Sequence, residues 1–153
     1  MPILFFLIMI NRIMIATDGS DASRKAAKIA VDIARRANGS ITAVYVMDTE
    51  RLSHLPGFSA LPELKEKAFR LIQDEGQQAL QFVEDQATAE TVPFRKILAQ
   101  GSPGKELIKI SREQEIDLLV MGSMGRTGVE KILLGSVAGK VVLQSSIPTL
   151  LVK

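Results

Sequence analysis

The sequence predicts an α/β fold, a three-layer sandwich in which helices cover both faces of a five-stranded parallel sheet. Short apolar runs without polar alternation recur along the chain, and this pattern is typical of strands that are buried on both faces. Amphipathic helical segments separate these runs, and such alternation leads to a parallel sheet with right-handed crossovers. The 153 residues contain no internal repeat and no low-complexity linker, so we expect a single globular domain.

The composition limits the classes of function. With 46% hydrophobic and 24% charged residues, the chain has the balance of an ordered globular protein. The net charge of +2 is small, and the basic residues are interspersed with acidic ones, so we expect no nucleic-acid partner. The absence of cysteine excludes disulfides, thiolate metal sites and cysteine nucleophiles, and it agrees with a cytoplasmic location.

Residues 1–10 form an apolar segment. Even when it is extended through Ile15, the run is about 15 residues long, is broken by Asn11 and Arg12, and is shorter than the roughly 20 that a membrane span needs. No basic residue precedes it, as a signal peptide would require. We expect no membrane anchor, and we interpret residues 1–10 as an extension that packs on a domain of residues 11–153 or on a partner. A start codon assigned too early, with the true start at Met9, is a comparable interpretation.

The first strand and helix are the most clearly marked elements. Arg12–Ala16 is a short buried run that ends in a polar turn, residues 17–20. Ser20 is suited to cap a helix, which Asn38 and Gly39 terminate. The apolar residues of this helix recur at helical spacing: Ala22, Ala26, Ile29, Ala30, Ile33, Ala34 and Ala37.

The middle of the chain predicts two strands around a long helix. A strand at 41–47 is followed by a loop at 48–61 and by a helix at 62–88 with Pro62 in its first turn. The strand at 92–99 has an imperfect alternation that indicates a sheet edge. The expected apolar stripe of the helix comprises Leu64, Ala68, Leu71, Ile72, Ala79, Leu80, Val83 and Ala87.

Four further elements complete the prediction. Ser102 and Pro103 begin a helix that extends to Gln114, with the serine as its cap. A strand at 116–121 follows, and the last helix and strand are predicted at 136–144 and 149–152.

The glycine-rich segment after the fourth strand carries the main functional signal, Gly-x2-Gly-x9-Gly-Ser. Glycines let the backbone approach a ligand closely, and a helix N-terminus offers unpaired N–H groups that suit phosphate. An ordinary turn followed by a serine N-cap explains the same residues. The spacing fits neither a Walker A motif nor a dinucleotide fingerprint. The residues concerned are Gly122, Gly125, Arg126, Gly135, Ser136 and Val137.

Asp18 follows the first strand and is the candidate for the opposite wall of a site. Ligands of parallel sheets bind beyond the carboxyl ends of strands, where the strand order reverses. If the first and fourth strands are neighbours there, Asp18 faces the segment after Gly122. An Asx-turn or a helix cap is the alternative explanation of Asp18, and a loop arginine such as Arg126 is commonly a solvated surface residue.

These motifs resemble those of the universal stress protein family, in its ATP-binding branch. The resemblance covers the chain from about Asn11 to Lys153. It is carried by the glycine motif and by Ile15-Ala16-Thr17-Asp18-Gly19-Ser20, with echoes at residues 44–48, 101–103 and 147–152. It implies an adenine nucleotide alpha-hydrolase-like fold with the strand order 3-2-1-4-5.

The resemblance also implies roles for individual residues toward ATP. The adenosine would lie against Ala16, Thr17 and Asp18, and the backbone of Val46 would hold the edge of the adenine. The ribose would meet Met121 and Gly122. The phosphates would be bound by Gly125, Arg126, Gly135, Ser136 and Val137. Mg²⁺ or Mn²⁺ would accompany the phosphates, and Asp18 or Asp48 could hold it through water.

We therefore expect an ATP-binding regulatory protein of the stress response that acts as a nucleotide-dependent switch. The resemblance implies a homodimer, for which the short strand at 148–152 offers an edge, and residues 1–10 could widen the contact. His54, the single histidine, lies in a loop and leaves no Ser-His-Asp set or Cys/His metal cluster. One arginine and one aspartate are too few charged groups to orient water and stabilise the transition state of hydrolysis. We therefore expect at most slow ATP hydrolysis and no dedicated catalytic activity.

Two alternatives come from other classes of protein. One is an interaction module with the same fold and an empty or AMP-bound cleft. The other is an enzyme that adenylates its substrate or releases pyrophosphate; such enzymes carry a Ser-Gly-Gly-x-Asp-Ser loop after the first strand. Residues 17–21, Thr-Asp-Gly-Ser-Asp, lack the paired glycines of that loop.

Overall fold

The computed structural model describes residues 9–58, 60–124 and 134–153. In these ranges the chain alternates strands and helices as predicted. The strands are β1 (Arg12–Ala16), β2 (Ser40–Asp48), β3 (Phe94–Gly101), β4 (Leu118–Gly122) and β5 (Thr149–Val152). The helices are α1 (Asp21–Arg36), α2 (Thr49–Ser53), α3 (Pro62–Ala89), α4 (Pro103–Glu113) and α5 (Ser136–Gln144).

The five strands form one parallel sheet in the order β3-β2-β1-β4-β5, which confirms the predicted order. β1 lies in the middle, where Ala16 is in register with Val44 of β2 and with Met121 of β4. The order of strands reverses between β1 and β4, so a crevice opens beyond their carboxyl ends. β3 and β5 lie at the two edges of the sheet, as the imperfect alternation of β3 had indicated.

Each face of the sheet has its own hydrophobic core. Ile13 and Ile15 of β1 pack with α1 and α3, and Met14 and Ala16 of the same strand pack with α4 and α5. Because side chains of a strand point alternately to the two faces, a strand covered on both must be apolar throughout. This explains why the sequence of β1 shows no polar alternation.

The segment predicted as a loop between β2 and α3 contains the short helix α2. The Asp48 carboxylate accepts a hydrogen bond from the backbone N–H of Arg51 at 3.0 Å, and this caps the helix. The loop prediction is therefore wrong for residues 49–53. One turn of helix is too short to produce a periodic signal in the sequence, so the cap decides its formation.

The prediction that one apolar stripe of α3 faces the core is also wrong in part. The buried residues of α3 all lie in its second half, from Gly76 to Ala87. Leu64 and Leu71 in the first half are 56% and 59% exposed. At about 1.5 Å per residue, a helix of 28 residues is longer than the strands that it covers. Sequence periodicity cannot show where the sheet beneath a helix ends.

Three predicted boundaries shift by two residues. β3 extends from Phe94 to Gly101 rather than from residue 92 to 99, and β4 begins at Leu118 rather than at residue 116. Before β4, the Asp117 carboxylate accepts hydrogen bonds from the backbone N–H groups of Asn11 and Arg12 at 3.0 and 2.8 Å. This residue therefore links the starts of two strands through its side chain, while its own backbone N–H donates to the carbonyl oxygen of Arg12 at 2.8 Å.

The predicted extension falls almost entirely outside the described residues. Ile10 packs at the edge of the core formed with α1 and α3, and Met9 is largely exposed. Among the helices that the structure describes, none combines the length and the apolar character that crossing a membrane would require.

Candidate functional site

A cavity of about 600 Å³ lies beyond the carboxyl ends of β1, β2 and β4. It borders the crevice where the strand order reverses, and its volume is in the range of sites for small organic ligands. Nine of the eleven predicted site residues line it: Ala16, Thr17, Asp18, Val46, Met121, Gly122, Gly135, Ser136 and Val137. The other two, Gly125 and Arg126, lie outside the described residues.

The turn between β1 and α1 forms one wall, and its hydroxyl groups bond to each other. Ser23 Oγ donates to the carbonyl oxygen of Ser20 at 2.9 Å, which uses its single proton. In the contact of 3.1 Å between Thr17 Oγ1 and Ser23 Oγ, the donor must therefore be Thr17. Thr17 Oγ1 also accepts from the N–H of Gly19 at 3.2 Å. The Thr17 hydroxyl is left with acceptor capacity only.

Asp18 forms the Asx-turn that the sequence had left open as an alternative. One carboxylate oxygen accepts from the backbone N–H of Ser20 at 2.9 Å. Gly19 stands between them with φ of +80°, a conformation that favours glycine. Ser20 caps α1 as predicted, because its Oγ accepts from the N–H of Ser23. The Asx-turn uses one of the two carboxylate oxygens, and Asp18 still lines the cavity.

The backbone of Val46 points toward the cavity. On the β1 side, the N–H of Ser40 donates to the carbonyl of Asn11, and the carbonyl of Val44 accepts from the N–H of Thr17. On the β3 side, the N–H of Ile41 donates to the carbonyl of Pro93. Because the backbone groups of a strand alternate between its two neighbours, those of Val46 also face the side of β1. β1 ends at Ala16, opposite Val44. Val46 thus presents an N–H and a carbonyl beyond the end of its neighbour.

The start of α5 forms the second wall. Its N-cap is Gly135 and not the serine of the alternative interpretation, and a glycine has no side chain that could cap the helix. In the first backbone hydrogen bond of the helix, the N–H of Gly139 donates to the carbonyl oxygen of Gly135 at 2.8 Å. The N–H groups of Ser136 and Val137 therefore have no partner within the helix, and Ser136 is exposed. Such an N-terminus attracts anions.

Packing around the cavity leaves little room for a side chain at two glycines of the motif. A Cβ on Gly122 would lie 3.0 Å from the Cβ of Ala22 and 3.3 Å from the backbone N of Ser23, in the first turns of α1. A Cβ on Gly135 would lie 3.2 Å from the carbonyl oxygen of Met124. The absence of a side chain at Gly122 and Gly135 thus allows the first turn of α1, the segment after β4 and the start of α5 to pack close together.

One side of the cavity was missed by the sequence prediction. Arg51, Leu52 and Leu55, on α2 and just after it, line the cavity together with Ile72 of α3. The spacing of Leu52 and Leu55 is that of one helical face, and this was the available signal. Two residues at this spacing do not indicate a helix in a segment whose proline and glycine predict a loop.

Ser123 is a further lining residue that the prediction missed. It lines the cavity and is only 4% exposed, and its Oγ has no hydrogen-bond partner. A serine inside a glycine-rich segment gives no sequence signal of this kind, because burial and pairing are properties of the folded chain.

Charged groups are few at the cavity. The carboxylates among the described lining residues are Asp18 and Asp48, and each has one oxygen bonded to a backbone N–H. Within residues 9–58, 60–124 and 134–153, no cluster of three or more metal-binding side chains occurs. His54 is exposed, and its Nδ1 lies 2.6 Å from the carbonyl oxygen of Glu50, to which it must donate.

A pKa shift occurs on α1, away from the cavity. Hydrogen bonds from Arg35 and then from Arg36, each at 2.9 Å, hold the pKa of Asp32 below its ordinary value. Both arginines lie in the last turn of α1, where positive charge also complements the helix dipole.

Comparisons with known proteins agree with this architecture. The model of the universal stress protein family matches residues 9–153. Universal stress protein MJ0531 of Methanocaldococcus jannaschii is 38% identical over 143 residues, which cover 94% of this chain and 82% of the relative. The structure of UspA from Lactobacillus plantarum, 27% identical, superposes with a TM-score of 0.73 over 94% of this chain and 98% of its own.

A third comparison shows the fold alone. The universal stress protein from Archaeoglobus fulgidus in complex with dAMP is 19% identical, with a TM-score of 0.66, over 96% of this chain and all of its own. The matches of the family model and of MJ0531 each span nearly the whole described domain. The chain belongs to the universal stress protein family.

Proposed function

We propose that the protein binds an adenine nucleotide, with ATP as the preferred ligand, and acts as a nucleotide-dependent switch in the stress response. The observation that carries this proposal is the α5 N-terminus, which lacks a capping side chain and opens into the cavity. Unpaired N–H groups and the positive end of a helix dipole favour a phosphate group there.

The base would lie at the opposite end of the ligand, near β2. The N–H and carbonyl of Val46 can bond to the edge of adenine, which offers both a donor and an acceptor. Leu52, Leu55 and Ile72 supply the apolar surface that a planar base needs. Asp18 and the Thr17 hydroxyl, both with acceptor capacity, suit the hydroxyl groups of the ribose. Support for an adenine nucleotide on this fold comes from the dAMP complex of the relative.

Mg²⁺ would accompany the triphosphate. The two lining carboxylates, Asp18 and Asp48, each keep one oxygen outside the backbone hydrogen bonds described above. Two such oxygens fit a cation that retains most of its water and receives its other ligands from phosphate. When bound, the ion would neutralise part of the phosphate charge.

Slow hydrolysis at most is consistent with the lining of the cavity. In-line attack on a phosphate needs a group that orients water and several positive charges. The described lining contains one arginine, Arg51, and no histidine or lysine. We therefore favour nucleotide occupancy, rather than turnover, as the signal that partners recognise. A cytoplasmic location stays a prediction.

Two measurements on purified protein test the proposal. Denaturation followed by chromatography identifies a nucleotide that co-purifies, and calorimetric titration with Mg·ATP, Mg·ADP and AMP measures affinity. We expect ATP or ADP in the supernatant, and tighter binding of Mg·ATP than of AMP. The absence of binding by all three would favour an interaction module, and turnover of a carboxylate substrate with ATP would favour an adenylating enzyme.

We also propose that two chains form a homodimer through β5. This strand is an edge of the sheet and offers unpaired backbone groups. Leu143 on the adjacent α5 is 86% exposed, and Val142 and Leu150 are 45% and 36% exposed. Exposed apolar side chains on an edge strand and on the helix that precedes it in the chain favour an association surface there.

Analytical ultracentrifugation at micromolar concentration tests the dimer. We expect the wild type to sediment as a dimer and Leu143→Asp as a monomer, because a buried unpaired carboxylate at the contact is costly. Leu64→Asp is the matched control, since Leu64 is also exposed but lies on α3. A monomeric wild type, or equal effects of the two substitutions, would contradict the assignment.

A further inference from the structure

A groove of about 390 Å³ lies between α4 and α5, on the face of the sheet opposite to α1 and α3. It shares no lining residue with the cavity beyond the strand ends. Its lining carries three positive charges and one negative charge. The residues are Lys105, Ile108, Lys109, Arg112 and Glu113 of α4, and Gln144 of α5.

The positive side chains form a stripe on α4. Lys105, Lys109 and Arg112 follow one another at intervals of four and three residues, so they lie on one face of the helix. At about 1.5 Å per residue, the stripe is roughly 10 Å long. All three residues are exposed, whereas Ile108 is 7% exposed. The accessible part of the groove is therefore charged.

The stripe differs from most basic groups of the protein in its lack of acidic partners. Ion pairs with carboxylates are formed by Arg12, Arg35, Arg36, Arg70 and Lys96. Within residues 9–58, 60–124 and 134–153, Lys105, Lys109 and Arg112 form none. The groove thus has a local excess of positive charge, in a chain whose net charge is only +2.

Two lysines lie where the helix dipole disfavours them. Lys105 is in the first turn of α4, at the positive end of its dipole. The side chain of Lys140 in α5 packs against Gly104 of the same turn, with its Cδ 2.7 Å from the place that a Cβ on Gly104 would take. These charges do not stabilise α4, and a negatively charged partner would offset their repulsion.

The groove suits an acidic helix better than other anions. A small anion cannot reach charges that are spread over about 10 Å. Lipid surfaces take up exposed apolar side chains, and nucleic acids stack on aromatic ones, but the described lining offers neither. Glu113 would also repel a run of phosphates. Carboxylates at intervals of four and three residues on a helix match the spacing of the stripe.

We propose that the groove between α4 and α5 is a docking surface for a partner protein that presents an acidic helix. Carboxylates of this helix pair with Lys105, Lys109 and Arg112, and the Gln144 amide offers a donor and an acceptor beside them. Glu113 disfavours a carboxylate at its end of the groove and thereby sets the direction of the helix. The proposal goes beyond nucleotide binding and does not depend on it.

A synthetic helical peptide tests the proposal. It carries three glutamates at intervals of four and three residues in a background of alanine and glutamine. An isomer of the same composition distributes the glutamates around the helix. Exposed ion pairs are weak, so we follow binding to the isotope-labelled full chain by NMR titration. We expect amide shifts in α4 and α5, and about fivefold weaker binding of the isomer.

The variant with Lys105→Gln, Lys109→Gln and Arg112→Gln removes the stripe. We expect its affinity for the peptide to fall about tenfold, because three ion pairs are lost. Lys105→Gln alone should leave the midpoint of thermal unfolding unchanged or slightly higher, since it removes a positive charge from the positive end of α4. A lower midpoint would contradict the assignment.

The matched control combines Lys28→Gln, Lys65→Gln and Lys67→Gln. It removes the same charge from exposed positions on α1 and α3, which cover the other face of the sheet. In about 0.1 M salt, charges farther apart than about 10 Å are largely screened. We therefore expect the control to bind the peptide within about twofold of the wild type.

Equal affinities of the stripe variant and the control would refute the docking surface, as would amide shifts outside α4 and α5. Vesicles with phosphatidylserine and a short DNA duplex test the other anions. If either binds more tightly than the peptide and is lost in the stripe variant, the choice of an acidic helix is wrong. We expect the stripe variant to keep the wild-type affinity for Mg·ATP, so failure of the nucleotide proposal is measured separately.

Discussion

The two walls of the cavity follow the two central strands of the sheet, but they use their polar groups differently. After β1, the hydroxyls of Thr17 and Ser23 and one oxygen of Asp18 are engaged within the turn and the first turn of α1. After β4, the Ser123 hydroxyl has no partner in the described part of the chain, and the first N–H groups of α5 have none within the helix. The first wall is a rigid scaffold that offers acceptors, whereas the second offers donors. This contrast favours placing the anionic end of a ligand against α5.

The strongest test of the contrast is a negative charge at the start of α5. We expect Ser136→Glu to weaken Mg·ATP binding by about 100-fold, because like charges placed together cost several kcal/mol. The fold should survive, since Ser136 is exposed and an acidic residue in the first turn stabilises a helix. Calorimetric titration and thermal unfolding measure the two effects.

Ser136→Gln is the control for side-chain size. It has nearly the same shape as glutamate without the charge, so we expect a loss of affinity of only a few-fold. If glutamine weakens binding as much as glutamate does, the effect is steric. In that case the second wall does not attract an anion through its charge.

A smaller effect is expected on the first wall. Ser23→Ala removes the acceptor of the Thr17 proton and leaves this buried donor without its partner, so we expect a loss of about 1–3 kcal/mol in the free energy of unfolding. The affinity for Mg·ATP should change by less than about threefold, since the pair bonds within the protein. Urea denaturation and calorimetric titration provide the values.

The same substitution at Ser123, whose hydroxyl has no partner among the described residues, makes this prediction sharper. The change is expected to lower stability at Ser23 and to raise it at Ser123, where it removes an unpaired polar group, and to lower affinity only at Ser123, next to the N-cap of α5. If both serines affect stability and affinity in the same direction, the two walls do not differ in the way that the hydrogen bonds indicate.

Much of the fold was predictable because its signals are local. β1, α5 and β5 have the predicted bounds, since buried runs and helix starts depend on neighbouring residues. The errors occur where distant parts of the chain decide the outcome. Leu64 and Leu71 continue the apolar stripe of α3, yet they are exposed, because only the second half of the helix, from Gly76 to Ala87, has residues that are buried by other parts of the chain.

The candidate site was predictable to a similar extent. Motifs at the ends of β1 and β4 identified residues on both walls, and parallel topology brings such ends together. The contribution of α2 was missed, because a helix of five residues has no clear period. The roles of Gly122 and Gly135 in packing were equally hidden, because the atoms that would meet their Cβ belong to other segments.

The amino-acid sequence by itself determined the fold class, the order of elements and the turns that end beside the crevice. It did so through local causes: apolar runs, helix caps and glycines. The tertiary structure alone decided which donors around the cavity are already used. Whether a hydroxyl has a partner depends on distances between segments. Ser23 and Ser123 are the same residue type, yet the Ser23 hydroxyl donates a hydrogen bond within the protein and the Ser123 hydroxyl has no partner among the described residues.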